Sequence, residues 1–450
     1  MLLGKAGAQG AMATRTRRNV ATLTDASPDI VAYKKAVKAM KELSQADTNN
    51  PLGWTMQARI HGTAGAFNKC KHNTWNFAPW HRAYLYYFEE IVRKLSGYEE
   101  FALPFWDWTT QPQVPPLFYG QDNPLAHPRN PGNGTVIPPA SVAEFVAKEV
   151  IDRILGSNNF GSFGGASFGS GELEVTPHNF IHRWVGRTMA SGESPLDPVF
   201  WLHHANVDRL YSRWIIMHGK GSLPADNSWQ NAAFADFFDR SGNVAGGNLK
   251  NSGTVDSTAL GYVYEDLGSI EDFEEPEASR LGVSRAFESK EVTTAGGAAL
   301  YKATSKVGPD GAKVLNSVAK RVNNNQGIRL RVRGVKTPDD QDTLVRVFIN
   351  CKDPGRGTPI TDPSYAGSFT FFGNHGGHGG ENHGNGHAGG NEIYLDITKV
   401  FRNLYGDIEI KDDEPLNVAL VSNPLFKEGE VQTVTPEKVL VELLSQKPDA

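Results

Sequence analysis

The residues able to do chemistry in this chain are histidines set at helical spacing. In DPVFWLHHANVDRLYSRW, from Asp197 to Trp214, residues Phe200, His204 and Asp208 recur at every fourth position. A helix puts them on one face. An imidazole between an aromatic ring and a carboxylate has the support a buried metal ligand needs, because the acceptor fixes its tautomer. His178 and His182 of PHNFIH repeat the spacing, and His61 of RIHG, His72 of CKH and His81 of APWH complete two sets of three. A histidine in any one such segment alone is more often a satisfied core residue than a ligand; the segments together point the other way. Neutral imidazole suits zinc, copper, iron and nickel. HNFIH has the spacing of a zinc-protease motif but lacks the glutamate after its first histidine that would act as base. No carboxylates accompany the pairs at E-x-x-H spacing, which disfavours a di-iron carboxylate bundle. Two all-imidazole sites fit a pair of copper ions best.

Helices must position these side chains. Ser27 and Pro28 suit the start of a helix whose apolar residues Ile30, Tyr33, Val37 and Met40 share one face. GWTMQARIHGTAG carries His61 in its last turn and stops at glycine. A polar loop then holds Cys70 and His72. Pro79 opens a further helix with His81 in its first turn, and Pro177 opens the helix of His178 and His182. Residues 101 to 170 are rich in loop signals. From about residue 311 the pattern becomes short alternating runs such as GIRLRVRGV, TLVRVFINC, EIYLDIT and LNVALVS, which is strand periodicity at sandwich spacing. The expected fold is a mainly α domain over 1–270, an antiparallel four-helix bundle holding a dicopper centre. A connector over 271–310, with the acidic EDFEEPEASR, leads to an all-β sandwich domain over 311–450.

The net charge of -5 gives no basic face for nucleic acid, and no run of 18 apolar residues would span a membrane. Only two cysteines, Cys70 and Cys351, occur, which excludes a disulfide framework. The N-terminal segment has no apolar leader core, so the expected location is cytoplasmic.

The segments RIHG, CKH, APWHRAYLYYFE, PHNFIH and DPVFWLHHANVDRLY together resemble the tyrosinase family of type 3 copper proteins, with its catechol oxidases, plant polyphenol oxidases and haemocyanins. The resemblance implies two copper ions per chain, the first held by His61, His72 and His81, the second by His178, His182 and His204. His203 is then one residue off the ligand face and packs or hydrogen-bonds. CKH resembles members in which the cysteine sulfur is bonded to the histidine two residues on, implying a thioether from Cys70 to His72. Tyr262-x-Tyr264 and the arginines of TRTRRNV resemble the pair that closes such catalytic domains. TLVRVFINCKDP and SYAGSFTFFGNHGG resemble the C-terminal domain of plant and fungal proenzymes, which covers the copper pocket. Here the pocket walls are expected from Phe88, Trp80 and Phe200, the candidate plugs are Phe371 and Phe372, and the glycine-histidine loop after them would let the cover shift.

The same resemblance implies dioxygen bound as a peroxide between the coppers, with monophenols hydroxylated to o-diphenols and o-diphenols oxidised to o-quinones. Glu174, four residues before His178, and Asn179, directly after it, match the residues that hold a water for deprotonating a monophenol. Arg183, after His182, matches a position that guides substrates. The expected partners are phenolic small molecules and dioxygen, and a homo-oligomer is compatible. The alternatives are a catechol oxidase acting only on o-diphenols, a haemocyanin-like oxygen carrier, and a structural zinc protein.

Overall fold

The computed structural model describes residues 14–446 apart from 64–65, 68, 131–134, 246, 248, 269–280, 291, 303–305, 323–324, 374–390 and 427–428. Helix α1 (Pro28–Ala46) has proline at its start and buries Ile30, Tyr33, Val37 and Met40 along one face. Helix α2 (Trp54–His61) stops before Gly62. Helix α3 (Phe77–Ser96) begins two residues ahead of Pro79 and ends on Gly97, whose φ is 73°. A proline is tolerated there because first-turn N–H groups have no partner within the helix, and glycine adopts the left-handed cap without a Cβ clash. A single π turn, Glu174–His178, contains Pro177 and feeds helix α4 (Asn179–Val185). Helix α5 (Val199–His218) is buried along nearly all its length. It packs on α3, which in turn packs on α1.

The ends of this helical region meet. Strand β1 (Arg15–Arg17) pairs in parallel with β2 (Tyr262–Tyr264), Arg17 opposite Tyr264. Arg17 is fully buried. Its Nη1 donates to Asp208 Oδ2 and to the Tyr264 hydroxyl, each at 2.9 Å, its Nε donates to Glu89 at 3.0 Å, and its guanidinium lies 3.7 Å over the Tyr262 ring. Arg82 of α3 grips the other oxygen of Asp208, and Tyr262 donates to Asp208 at 2.7 Å. Burial alone would raise the Asp208 carboxyl; Arg82 and Arg17 hold it below its ordinary value.

The C-terminal region holds two antiparallel sheets. Its elements are β3 (Leu281–Ser289), β4 (Val292–Ala295), β5 (Ala298–Tyr301), α6 (Gly308–Ala319), β6 (Gln326–Val335), β7 (Thr343–Ile349), β8 (Tyr365–Thr370), β9 (Asn391–Asp396), α7 (Thr398–Tyr405), β10 (Val418–Pro424) and β11 (Lys438–Gln446). The strand orders are β8-β7-β10-β5-β4 and β9-β6-β11-β3. Alternating inward residues such as Val345, Val347, Leu330, Val332 and Val441 form their common core. Two features depart from expectation. Strands β3 to β5 lie in the stretch read as connector, so part of 271–310 belongs to the sheets; the acidic EDFEEPEASR falls outside the described residues. Helices α6 and α7 pack against each other beside the strands and bury Leu315 and Phe401. Among the described residues no helix is long and apolar enough to cross a membrane.

The two regions are joined along a polar seam. Ser170 N donates to Glu392 O at 2.9 Å, and Tyr394 N donates to Ser170 O at 3.0 Å. Thr176 Oγ1 donates to Ser368 O at 2.8 Å. Arg346 reaches both oxygens of Glu144 at 2.9 Å.

Asp208 is the group whose loss should cost most. Asp208→Ala leaves two buried arginines without their shared counter-ion, a change that typically costs about 3–5 kcal/mol. Denaturant unfolding of the purified variant should show a loss of that order, and an unchanged midpoint would refute it.

Candidate metal centre

Two groups of buried histidines lie side by side: His61, His72 and His81 in one, and His178, His182, His203 and His204 in the other, each with its ring nitrogens within 4.8 Å of one another. Helix geometry delivers most of them. His61 is the last residue of α2, and its Nδ1 donates to Gly192 O at 2.8 Å. His81 sits in the first turn of α3, where Phe77 O accepts its Nδ1 proton at 2.8 Å. His182 gives its Nδ1 proton to Met189 O at 2.6 Å. His178 Nδ1 lies 2.9 Å from Asn179 Oδ1. A proton parked on Nδ1 leaves the Nε2 lone pair for a metal. Nε2 of His81 and of His178 meets no hydrogen-bond partner among the described residues.

His182 Nε2 and His204 Nε2 stand 3.2 Å apart. Two nitrogens ~2.0–2.1 Å from one tetrahedral ion are separated by about 3.3 Å, so this spacing is that of co-ligands. The rings of His81 and His204 stack across the boundary between the groups at 4.2 Å. Burial lowers the pKa of His81, His182 and His204, helped by neighbouring imidazoles, and takes His178 down to about 3. All are therefore neutral and able to ligate. No carboxylate or thiol joins either group among the described residues, and an all-imidazole set of this kind suits copper. The two groups could each hold one copper ion.

The surroundings are aromatic. Phe77 lies 4.7 Å from His178, Phe200 lies 4.2 Å from His204, and Trp80 lies 4.8 Å from His81. Phe88 is not part of this wall; it stacks on Trp201 at 3.5 Å in the core behind. Asp208 also departs from its expected place. Its oxygens are taken by Arg17, Arg82 and two tyrosines, and the hydrogen-bond partner expected for His204 is not there: His204 Nδ1 meets none among the described residues. Cys70 Sγ lies 3.2 Å from His72 Nδ1, and burial pushes its thiol pKa up.

The C-terminal region reaches this centre. Phe372 stacks on His182 at 4.1 Å and meets the edges of His72 and His178 at 5.5 and 5.6 Å. Phe371 turns the other way, into the β core. Gly373 follows with φ +80°, and a Cβ there would stand 2.1 Å from the Phe67 ring. The glycine-histidine loop lies outside the described residues. Asn179 Nδ2 donates to Thr370 O at 3.0 Å, and Arg183 pairs with Asp342. Glu174 Oε1 accepts from Asn73 N at 2.9 Å, while Oε2 meets no partner among the described residues. Burial pushes the Glu174 carboxyl up to about 7 against the pull of the Asn73 N–H and Ser170.

Residues 51–147 and 126–217 match the family model for the common central domain of tyrosinase. Residues 51–217 are a tyrosinase common central domain. Tyrosinase HcTyr1 of Hahella sp. (strain CCB-MM4) is 33% identical over 56% of this chain and 63% of its own length, so the chain spans less than two thirds of that relative. The chloroplastic polyphenol oxidase B of Solanum lycopersicum is 27% identical over 87% of this chain and 72% of its own. A latent aurone synthase (polyphenol oxidase) shares the fold, with a TM-score of 0.70 at 21% identity over 98% of this chain and 91% of that one. The matched central domain carries both groups of histidines that could hold copper, and the latent polyphenol oxidase fold matches the helical core with its C-terminal sheets. The relatives' names also correct the cytoplasmic expectation. Those of Solanum lycopersicum, Malus domestica and Ipomoea batatas are chloroplastic; a low cysteine count and the lack of a recognised leader carry no argument for the cytoplasm.

Replacing His81 or His178 with alanine should remove one of two coppers while the far-ultraviolet circular dichroism stays that of the parent. Metal analysis after exhaustive dialysis reads this, and a variant that keeps both coppers would exclude the replaced residue as a ligand.

Proposed function

We propose that this chain hydroxylates monophenols to o-diphenols and oxidises o-diphenols to o-quinones with dioxygen. The observation that carries the reading is the abutment of two groups of buried imidazoles, joined by the His81–His204 stack at 4.2 Å. Copper, when bound by His61, His72 and His81 and by His178, His182 and His204, supplies the dioxygen and electron chemistry. The chain supplies a dry aromatic pocket. Phe200 and Phe77 pack against the ligand rings and exclude water.

A monophenol, with a pKa near ~10, must lose its proton to react. Glu174 is the base for that step, acting through a water shared with Asn179. Its buried carboxyl, raised to about 7, accepts a proton more readily than an exposed glutamate would. Arg183 guides the substrate at the pocket mouth once released from Asp342. The second reading, a catechol oxidase, is favoured by the Asn179 amide, which is already engaged by His178 and Thr370. Initial rates on a monophenol and its o-diphenol separate the two. Glu174→Gln should depress the monophenol rate ~10²-fold or more and the diphenol rate much less. Equal losses would assign Glu174 to the fold alone.

The C-terminal region acts as a cover, with Phe372 as the plug over His182. Phe372→Ala, or proteolysis within 269–280, should raise turnover of a bulky o-diphenol. Turnover unchanged by both would remove the cover from the account. Cys70 and His72 become joined when copper and dioxygen are present, each losing one hydrogen as dioxygen takes up the two electrons. Peptide mass measurement of the active protein should find a deficit of two hydrogens, whereas an alkylatable Cys70 would exclude the link.

A further inference from the structure

We propose that Trp108 decides which of the two consecutive histidines, His203 or His204, holds the second metal. This rests on the reading of the four-histidine group as a metal site. All four residues bring ring nitrogens within 4.8 Å of one another, so His203 is near enough to compete for the ion. Both residues lie on α5 and both are fully buried. Distance does not separate them; the position of one proton does.

The Trp108 indole Nε1 lies 3.1 Å from Nδ1 of His203. An indole nitrogen only donates. Nδ1 of His203 therefore accepts, and the single proton of the neutral ring sits on Nε2. A protonated Nε2 has no lone pair to offer. His182 is the contrast: Met189 O takes its Nδ1 proton, and its Nε2 is free to ligate beside His204 Nε2. His203 is thus disqualified by its hydrogen bond, not by its place. The indole is held firmly for this role. Trp108 is fully buried, its backbone N–H donates to Trp106 O at 3.1 Å, and the Trp106 backbone N–H donates at 3.1 Å to the carbonyl of Leu202, the residue before His203. The segment that carries the indole is therefore pinned to the turn of α5 it reads. Trp108 is a positioning residue.

Two measurements test this, neither of which reads activity. The first is the tautomer in metal-free protein. With 15N-labelled histidine, the His203 signal, assigned by its loss in His203→Gln, should show the Nε2–H form. In Trp108→Phe it should shift toward Nδ1–H. A parent protein with Nδ1–H at His203 overturns the proposal. The second is copper count by anaerobic Cu(I) titration. His204→Ala should bind one copper, because His203 cannot replace the lost ligand while Trp108 donates to it. His204→Ala combined with Trp108→Phe should regain the second. Two coppers in His204→Ala alone, or one copper in a folded double variant, overturns the proposal. If the parent binds no second copper, the metal-site reading fails instead, and the tautomer measurement still stands.

Discussion

Seven imidazoles share one buried interior. For His81, His178, His182, His203 and His204, burial and the neighbouring imidazoles lower the pKa and keep the rings neutral. Each neutral ring has one proton, and where that proton rests decides whether the ring can hold a metal. The surrounding backbone settles this for His61, His81 and His182, whose Nδ1 protons go to the carbonyls of Gly192, Phe77 and Met189. The site is therefore built as much by loop carbonyls as by helix faces. That explains why residues around Gly192 and Met189, which hold no ligand, must stay ordered.

Helices α3 and α5 must be held in register for the two groups to abut. Their ridges pack, but the rigid tie is ionic. Asp208 on α5 binds Arg82 on α3 and Arg17 from the first strand, and Glu89 on α3 takes Arg17 from the other side. A carboxylate buried with two guanidiniums is costly to assemble and more costly to break. Sliding α5 along α3 would break it. The pair thus sets the distance between His81 and His204 from one turn below the site.

Much of this was legible in the sequence, because helical period is a local property. The histidines at i and i+4 and the proline and glycine boundaries needed no tertiary knowledge. Residues whose role depends on distant partners were not legible. Asp208 lies four residues from His204, yet its partners come from positions 17, 82, 262 and 264. Phe88 shares a helix face with His81, but seven residues is about 10 Å along the axis, which carries it past the site. Phe371 and Phe372 differ by one residue, and extended chain sends neighbours to opposite sides. Only the structure shows which one reaches His182. His203 was expected to pack or hydrogen-bond, but its partner Trp108 was missed for the same reason: an indole ninety-five residues away fixes the proton of an imidazole.

The pairing of β1 with β2 ties the first described residues of the helical region to its last. A chain whose two ends are stitched together inside the protein behaves like a ring. Fraying, which ordinarily starts at a free end, has no loose thread to pull. Neither strand can peel away without first breaking the buried contacts of Arg17. The buried Arg17, set between two tyrosines and two carboxylates, is the knot.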